Sequence, residues 1–243
     1  MIEHAIPYRD PSGLDDYARA QCMVDLYVPD GARDFLTVVW LHGGGLEQGE
    51  REIPPALMDQ GIAVVGVGYR LRPHVGTPAY IEDAAAAVAW TVANIARYGG
   101  DPDRVVVSGH SAGAYLGALV VLDKRWLAAH DLDADRIAGL APYSGQVVTH
   151  FAIRADRGID GVRPQVDELA PLFHVRADAP PIFLTTGDRE LEVLGRYEEN
   201  AYFWRMLRLA GHPHVDLREF PGCDHCGMVE PAHPHVLEWL RSL

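Results

Sequence analysis

The chain has 243 residues, 48% of them apolar and 23% charged, a balance that suits a soluble globular α/β protein with a large buried core. Its net charge of −13, from 34 acidic and 21 basic residues, excludes the basic surface that nucleic-acid binding needs. Three cysteines, Cys22, Cys223 and Cys226, are too few for a disulfide framework. No basic segment followed by an apolar run opens the sequence, and no stretch has the length of a membrane span, so a cytoplasmic protein is the expectation.

In chain order, Cys22 to Val28 reads as an early strand closed by the turn Pro29-Asp30-Gly31. Phe35 to Leu41 and Ile62 to Val67 are almost wholly apolar, the pattern of strands covered on both faces. Pro78 opens a helix running to Tyr98. Its positions Ile81, Ala84, Ala85, Val88, Val92 and Ile95 keep helical spacing, and Gly99-Gly100 ends it. Arg104 to Ser108 is a branched apolar strand, and Ala112 to Leu122 suits a buried helix. Further strands are expected at Ile137 to Ala141, Pro181 to Thr186 and Val215 to Phe220, and helices at Arg196 to Ala210 and His235 to Leu243. This alternation predicts one α/β domain over 1–243, with a mainly parallel central sheet and helices on both faces. Residues 145–179 break the rhythm and are long enough for a lid or specificity segment.

Between the strand ending at Ser108 and the helix from Ala112 stands Gly109-His110-Ser111-Ala112-Gly113, a G-x-S-x-G sequence. A serine on a tight strand-to-helix turn is a nucleophile elbow, with its hydroxyl exposed above the sheet and the flanking glycines allowing close packing. A serine hydroxyl needs a base, the base needs a carboxylate, and the developing oxyanion needs donors. His42-Gly43-Gly44-Gly45 follows a buried strand, so the N–H groups of Gly43, Gly44 and Ala112 are the candidate oxyanion hole. His225, after the last strand and before the last helix, is the candidate base among twelve histidines. Asp188 and Glu190 follow the strand at Pro181 to Thr186, and both are candidates for the acid.

Four segments, Val24 to Pro29, Leu41 to Gly45, Gly68-Tyr69-Arg70-Leu71, and Tyr98 to Arg104 running into Ser108 to Gly113, resemble the α/β-hydrolase superfamily. Within it they resemble the esterase branch of hormone-sensitive-lipase-like and acetylesterase-like enzymes and arylformamidases. The resemblance implies Ser111 as nucleophile and His225 as base. It places the acid three residues past the glycine ending the strand, which prefers Glu190 over Asp188, although relatives usually carry Asp there. It also implies a small or absent N-terminal cap, with residues 145–179 supplying much of the substrate pocket and His150 and Phe151 lining it. Leu46 stands where relatives often have an aromatic residue.

The expected activity is serine hydrolysis of short-chain carboxylic esters through an acyl-enzyme. The alternatives are an arylformamidase-type C–N hydrolase and, in a different class, a non-catalytic binding module on the same fold. No cofactor is expected. Cys223-x-x-Cys226 lacks the further ligands of a structural zinc site, so no metal is expected either. His212-Pro213-His214 and His233-Pro234-His235 read as turn and cap residues. The expected partner is a small-molecule ester, with no nucleic acid and no membrane span, and the assembly state is left open, a homodimer included.

Overall fold

The computed structural model describes residues 1–243. Its eight strands are β1 (Ile2–Pro7), β2 (Met23–Tyr27), β3 (Phe35–Leu41), β4 (Ala63–Val67), β5 (Gly100–His110), β6 (Gly139–Tyr143), β7 (Ile182–Gly187) and β8 (Val215–Phe220). They form one sheet in the order β1-β2-β4-β3-β5-β6-β7-β8. The first two strands pair antiparallel with their neighbours, and every pairing from β4 across to β8 is parallel. The helices are α1 (Asp16–Gln21), α2 (Ala79–Asn94), α3 (Ala112–Leu122), α4 (Arg125–Ala128), α5 (Phe151–Asp156), α6 (Arg196–Leu209) and α7 (Val229–Leu240).

The apolar strands are buried on both faces because side chains alternate across the sheet. On β3, Val39 and Leu41 join the larger core cluster with Tyr80, Ile81 and Val88 of α2, Leu116 and Leu119 of α3, and Phe203 of α6. Val38 and Trp40 point the other way, into a smaller cluster closed by Val236, Leu237 and Leu240 of α7. Fully burying a Leu or Phe side chain of this kind contributes about 2–3 kcal/mol. The α3 helix is buried along its whole length, which explains its lack of any polar face.

Three local features depart from the expectations. β1 and α1 carry no apolar period: β1 is an exposed edge strand interrupted by a bulge at Ala5, and α1 is a short helix capped by the Asp15 carboxylate. The 78–98 helix ends its α-helical part at Asn94 and continues as a 3₁₀ turn to Tyr98, where Gly99 at φ 92° closes it. The last helix starts at Val229, well before His235, and runs through Pro234. His233 is therefore no cap: it is 1% exposed, packed on Trp40 and hydrogen-bonded to the Tyr143 hydroxyl. Pro234 lies in the middle of the helix, where it withdraws a backbone N–H, a loss that the burial of Val236, Leu237 and Leu240 offsets.

In a mainly parallel sheet the carboxyl ends of the strands share one edge, where loops from neighbouring strands meet. The loops after β3, β5, β6, β7 and β8 all leave that edge. They carry Gly43, Ser111, Ser144, Asp188 to Glu192, and His225 respectively.

Candidate active site

Ser111 sits between β5 and α3 at φ 54° and ψ −114°, a backbone conformation that costs a non-glycine residue on the order of 1–3 kcal/mol. Two backbone bonds hold it there, Ser111 N–H to Tyr143 O at 2.9 Å and Tyr115 N–H to Ser111 O at 3.0 Å. The close approach of β3 requires glycine at position 113, where a Cβ would run into the carbonyls of Leu41 and His42. Ser111 is 8% exposed, and its hydroxyl donates to His225 Nε2 at 2.8 Å.

His225 Nδ1 faces a carboxylate at 2.8 Å, and that carboxylate belongs to Glu192. The expected acids are not there. Glu190 is exposed at the surface. Asp188 braces the loop, its carboxylate accepting from Gly222 N–H at 2.7 Å and Glu190 N–H at 2.9 Å. The cause is a tight turn after β7: the N–H groups of Leu191 and Glu192 both donate to Asp188 O, at 2.9 and 2.8 Å. The turn folds Glu192 back above the strand end, where its Oε1 accepts from Gly187 N–H at 2.9 Å. The segment Asp188-Arg189-Glu190-Leu191-Glu192 offers three acids, and only a tertiary turn selects among them.

The Glu192 side chain is 1% exposed. Burial alone would raise its pKa, but hydrogen bonds from His225, the Ser144 hydroxyl and Gly187 N–H outweigh it and bring the carboxyl to about 2. The Ser144 hydroxyl donates to Glu192 Oε1 at 2.6 Å and lies 2.9 Å from His225 Nδ1. Ser144 had no signal in the sequence reading beyond its place after a strand.

The glycine run after β3 lies beside the serine. A Cβ on Gly43 would come 3.5 Å from Ser111 Cβ, and Gly44 adopts φ 113° with its α-carbon packed onto the Gln48 carbonyl. The N–H groups of Gly43, Gly44 and Ala112 take no part in the loop, turn and side-chain hydrogen bonds around them. His42 anchors the run from behind, 2% exposed and stacked on Tyr69 with ring centroids 4.2 Å apart. The Tyr69 hydroxyl donates to His42 O at 2.7 Å.

His110 fastens the elbow to the base. Its Nε2–H donates to His225 O at 2.9 Å, and the two rings lie 4.7 Å apart. Burial, and next the neighbouring His225, push the His110 imidazole down to about 4. The folded protein thus binds fewer protons at this residue than the unfolded chain between pH 6.5 and 4, so His110 makes stability fall as pH drops through that window. Glu192 does the same lower down, its contribution being complete above the ordinary 4.5 and lost as pH falls toward about 2. In urea titrations across pH 7 to 4, His110→Gln should reduce the slope of stability against pH, by at most about 1.4 kcal/mol per pH unit. An unchanged slope would contradict this assignment.

The two expected lining residues separate. Phe151 is 39% exposed and its ring packs against Gly45, where a Cβ would lie 3.1 Å from Cζ, so it borders the glycine run. His150 is 1% exposed: it packs on Tyr115 and its Nδ1 caps α5 by accepting from Ala152 N–H at 3.2 Å. It is a core and capping residue and lines no open space. Residues 145–179 are tied to α6 by Val147 N–H on Glu199 at 3.1 Å and braced within themselves by the Thr149 hydroxyl on Asp167 at 2.7 Å. Arg72 bridges Glu47, next to the glycine run, and Asp156 of α5. Cys223 and Cys226 are free thiols in the turn around His225, and no group of three or more His, Cys, Asp or Glu side chains is arranged to hold a metal ion. No helix is long and apolar enough to cross a membrane.

The BD-FAE family model matches residues 24–138. Among curated proteins, the chain is similar to Esterase LipC of Mycobacterium tuberculosis, 29% identical over 240 residues, covering 89% of this chain and 57% of that protein. It is also similar to Esterase LipQ of the same organism, 31% identical over 188 residues, covering 70% and 44%. The chain thus spans about half the length of these relatives. Among solved structures, a truncated carbohydrate esterase from gut microbiota superposes with a TM-score of 0.81 at 15% identity, covering 100% of this chain and 95% of that one. Propionate-bound esterase Est2 of Thermogutta terrifontis superposes with a TM-score of 0.76 at 22% identity, covering 99% and 92%. Fold, motif order and sequence similarity agree: the chain has the α/β-hydrolase fold and is similar to esterases of that superfamily.

Proposed function

We propose that the protein is a serine carboxylic ester hydrolase acting on short acyl esters through an acyl-enzyme. The observation that carries this reading is the unbroken chain from the Ser111 hydroxyl through His225 to Glu192, with both contacts at 2.8 Å. Glu192 accepts a hydrogen bond from Nδ1–H, which leaves the lone pair of Nε2 facing the serine. Ser111 attacks the ester carbonyl and its proton passes to Nε2. The N–H groups of Gly43, Gly44 and Ala112 receive the oxyanion, each donor being worth about 3 kcal/mol of barrier where such donors have been removed. The imidazolium then protonates the departing alcohol. Water then gives a proton to Nε2 as its oxygen bonds to the acyl carbon, the bond to Ser111 Oγ breaks, and Oγ takes the proton back from Nε2 as the acid leaves.

The names of the relatives support ester chemistry, and LipC and LipQ are both described as esterases. The preference for short acyl groups draws on Phe151 against Gly45 and on the Arg72 bridge to Glu47 and Asp156, which close the side of the glycine run facing α5. Residues 145–179 act in this reading as a fixed specificity wall. The test is a rate panel of p-nitrophenyl esters from acetate to palmitate, with N-formylkynurenine added. The expected result is kcat/KM highest at acetate to butyrate and at least about tenfold lower from octanoate upward, the order of discrimination that steric exclusion of a few methylenes gives. Rates rising with chain length would remove the short-chain reading, and faster turnover of the formamide than of any ester would move the activity to C–N hydrolysis.

A further inference from the structure

We infer that Ser144 is a positioning residue of this site, setting both the tautomer of His225 and the orientation of the Glu192 carboxylate. This rests on reading Ser111, His225 and Glu192 as the hydrolytic machinery. The hydroxyl of Ser144 has one proton and spends it on Glu192 Oε1 at 2.6 Å. Toward His225 Nδ1, 2.9 Å away, it can therefore only accept, and Nδ1 must carry the proton. That proton is shared between Ser144 Oγ and Glu192 Oε2, and Nε2 is left as the acceptor for Ser111. Glu192 Oε1 is in turn fixed by two donors, Ser144 and Gly187 N–H, so the carboxylate cannot rotate away from the imidazole.

The backbone around Ser144 is built to hold that hydroxyl in place. Ser144 directly follows β6 and adopts φ 49°, the left-handed region that favours glycine. Its N–H donates to Thr185 O at 2.7 Å. The guanidinium of Arg196, itself 3% exposed and without a carboxylate in ion-pair contact, donates to Ser144 O. Asn200 Nδ2 donates to Gly145 O at 2.9 Å. A glycine at 144 would take this conformation without strain, yet a serine stands there, fully buried, with its hydroxyl between the acid and the base.

The decisive measurement is a double-mutant cycle of Ser144 and Glu192 on p-nitrophenyl acetate. Ser144→Gly, which suits the backbone, and Ser144→Ala, which keeps the Cβ, should both lower kcat by about tenfold, the effect of losing one hydrogen bond to a charged group, with KM changed less than about twofold. In a Glu192→Gln background, Ser144→Gly should cost less than about twofold, because the group it positions is already gone. Wild-type kcat in both Ser144 variants, a loss in only one of them, or the same fold-loss in both Glu192 backgrounds would overturn the inference. Ser111→Ala measured in parallel separates the two levels. An active Ser111→Ala removes the triad reading itself, whereas an inactive Ser111→Ala beside fully active Ser144 variants removes Ser144 alone.

Discussion

Ser111→Ala should abolish ester hydrolysis, with kcat for p-nitrophenyl acetate falling by about 10⁴-fold or more. The hydroxyl is the atom that would become bonded to the acyl carbon, and no neighbouring group can replace it. Ser144 is the nearest other hydroxyl in the network, but its proton is committed to Glu192 and it faces Nδ1 rather than Nε2. The residual rate would come from the N–H groups of Gly43, Gly44 and Ala112, which stay in place. The substitution removes one oxygen and leaves β5, α3 and the strained turn as they are, so circular dichroism and melting should match the parent within a few degrees. A variant with the parent's steady-state rate would contradict the nucleophile assignment.

Glu192→Gln should lower kcat by about 10²–10⁴-fold, the range seen when the carboxylate behind a catalytic histidine is made neutral. Two effects add. The amide can donate where the carboxylate only accepts, so it can turn His225 to the wrong tautomer. It also removes the negative charge that stabilises the imidazolium during turnover. Glu190→Gln, at an exposed side chain without hydrogen bonds, should stay within about twofold of the parent. Asp188→Asn should fall between the two, because the Asp188 carboxylate ties the β7 end to Gly222 in the turn that carries His225. The comparison is made on kcat at fixed pH with all three variants. A severe Glu190→Gln beside a mild Glu192→Gln would reverse the assignment.

Much of this site was legible in the sequence, and the reasons differ residue by residue. Ser111 and His225 could be placed because each is bound to a strand end: one by a glycine-flanked turn between an apolar strand and an apolar helix, the other by its place between the last strand and the last helix. The fold followed from the same source, since β3, β4 and the Val105 to Val107 part of β5 are apolar runs that no exposed element would carry. Glu192 was missed because counting residues past Gly187 does not register the turn on Asp188 O that returns the chain to the sheet. Ser144 was missed because its role comes from a positive φ and from Arg196 and Thr185, which are distant in sequence. His150 and Phe151 are adjacent aromatic residues, and only the start of α5 decides that one ring turns into the core while the other meets the glycine run. β1 gave no pattern because an exposed edge strand has no buried face to record.

The central claim, that Ser111 is a nucleophile activated by His225, is tested most directly by the mass of the protein after reaction with a p-nitrophenyl alkylphosphonate. The nucleophile displaces p-nitrophenolate and keeps the phosphonyl group. One adduct per chain is expected, located on Ser111 by peptide sequencing, formed with release of one equivalent of p-nitrophenolate, and absent from Ser111→Ala. No adduct with the active protein, or an adduct on any residue other than Ser111, would contradict the claim.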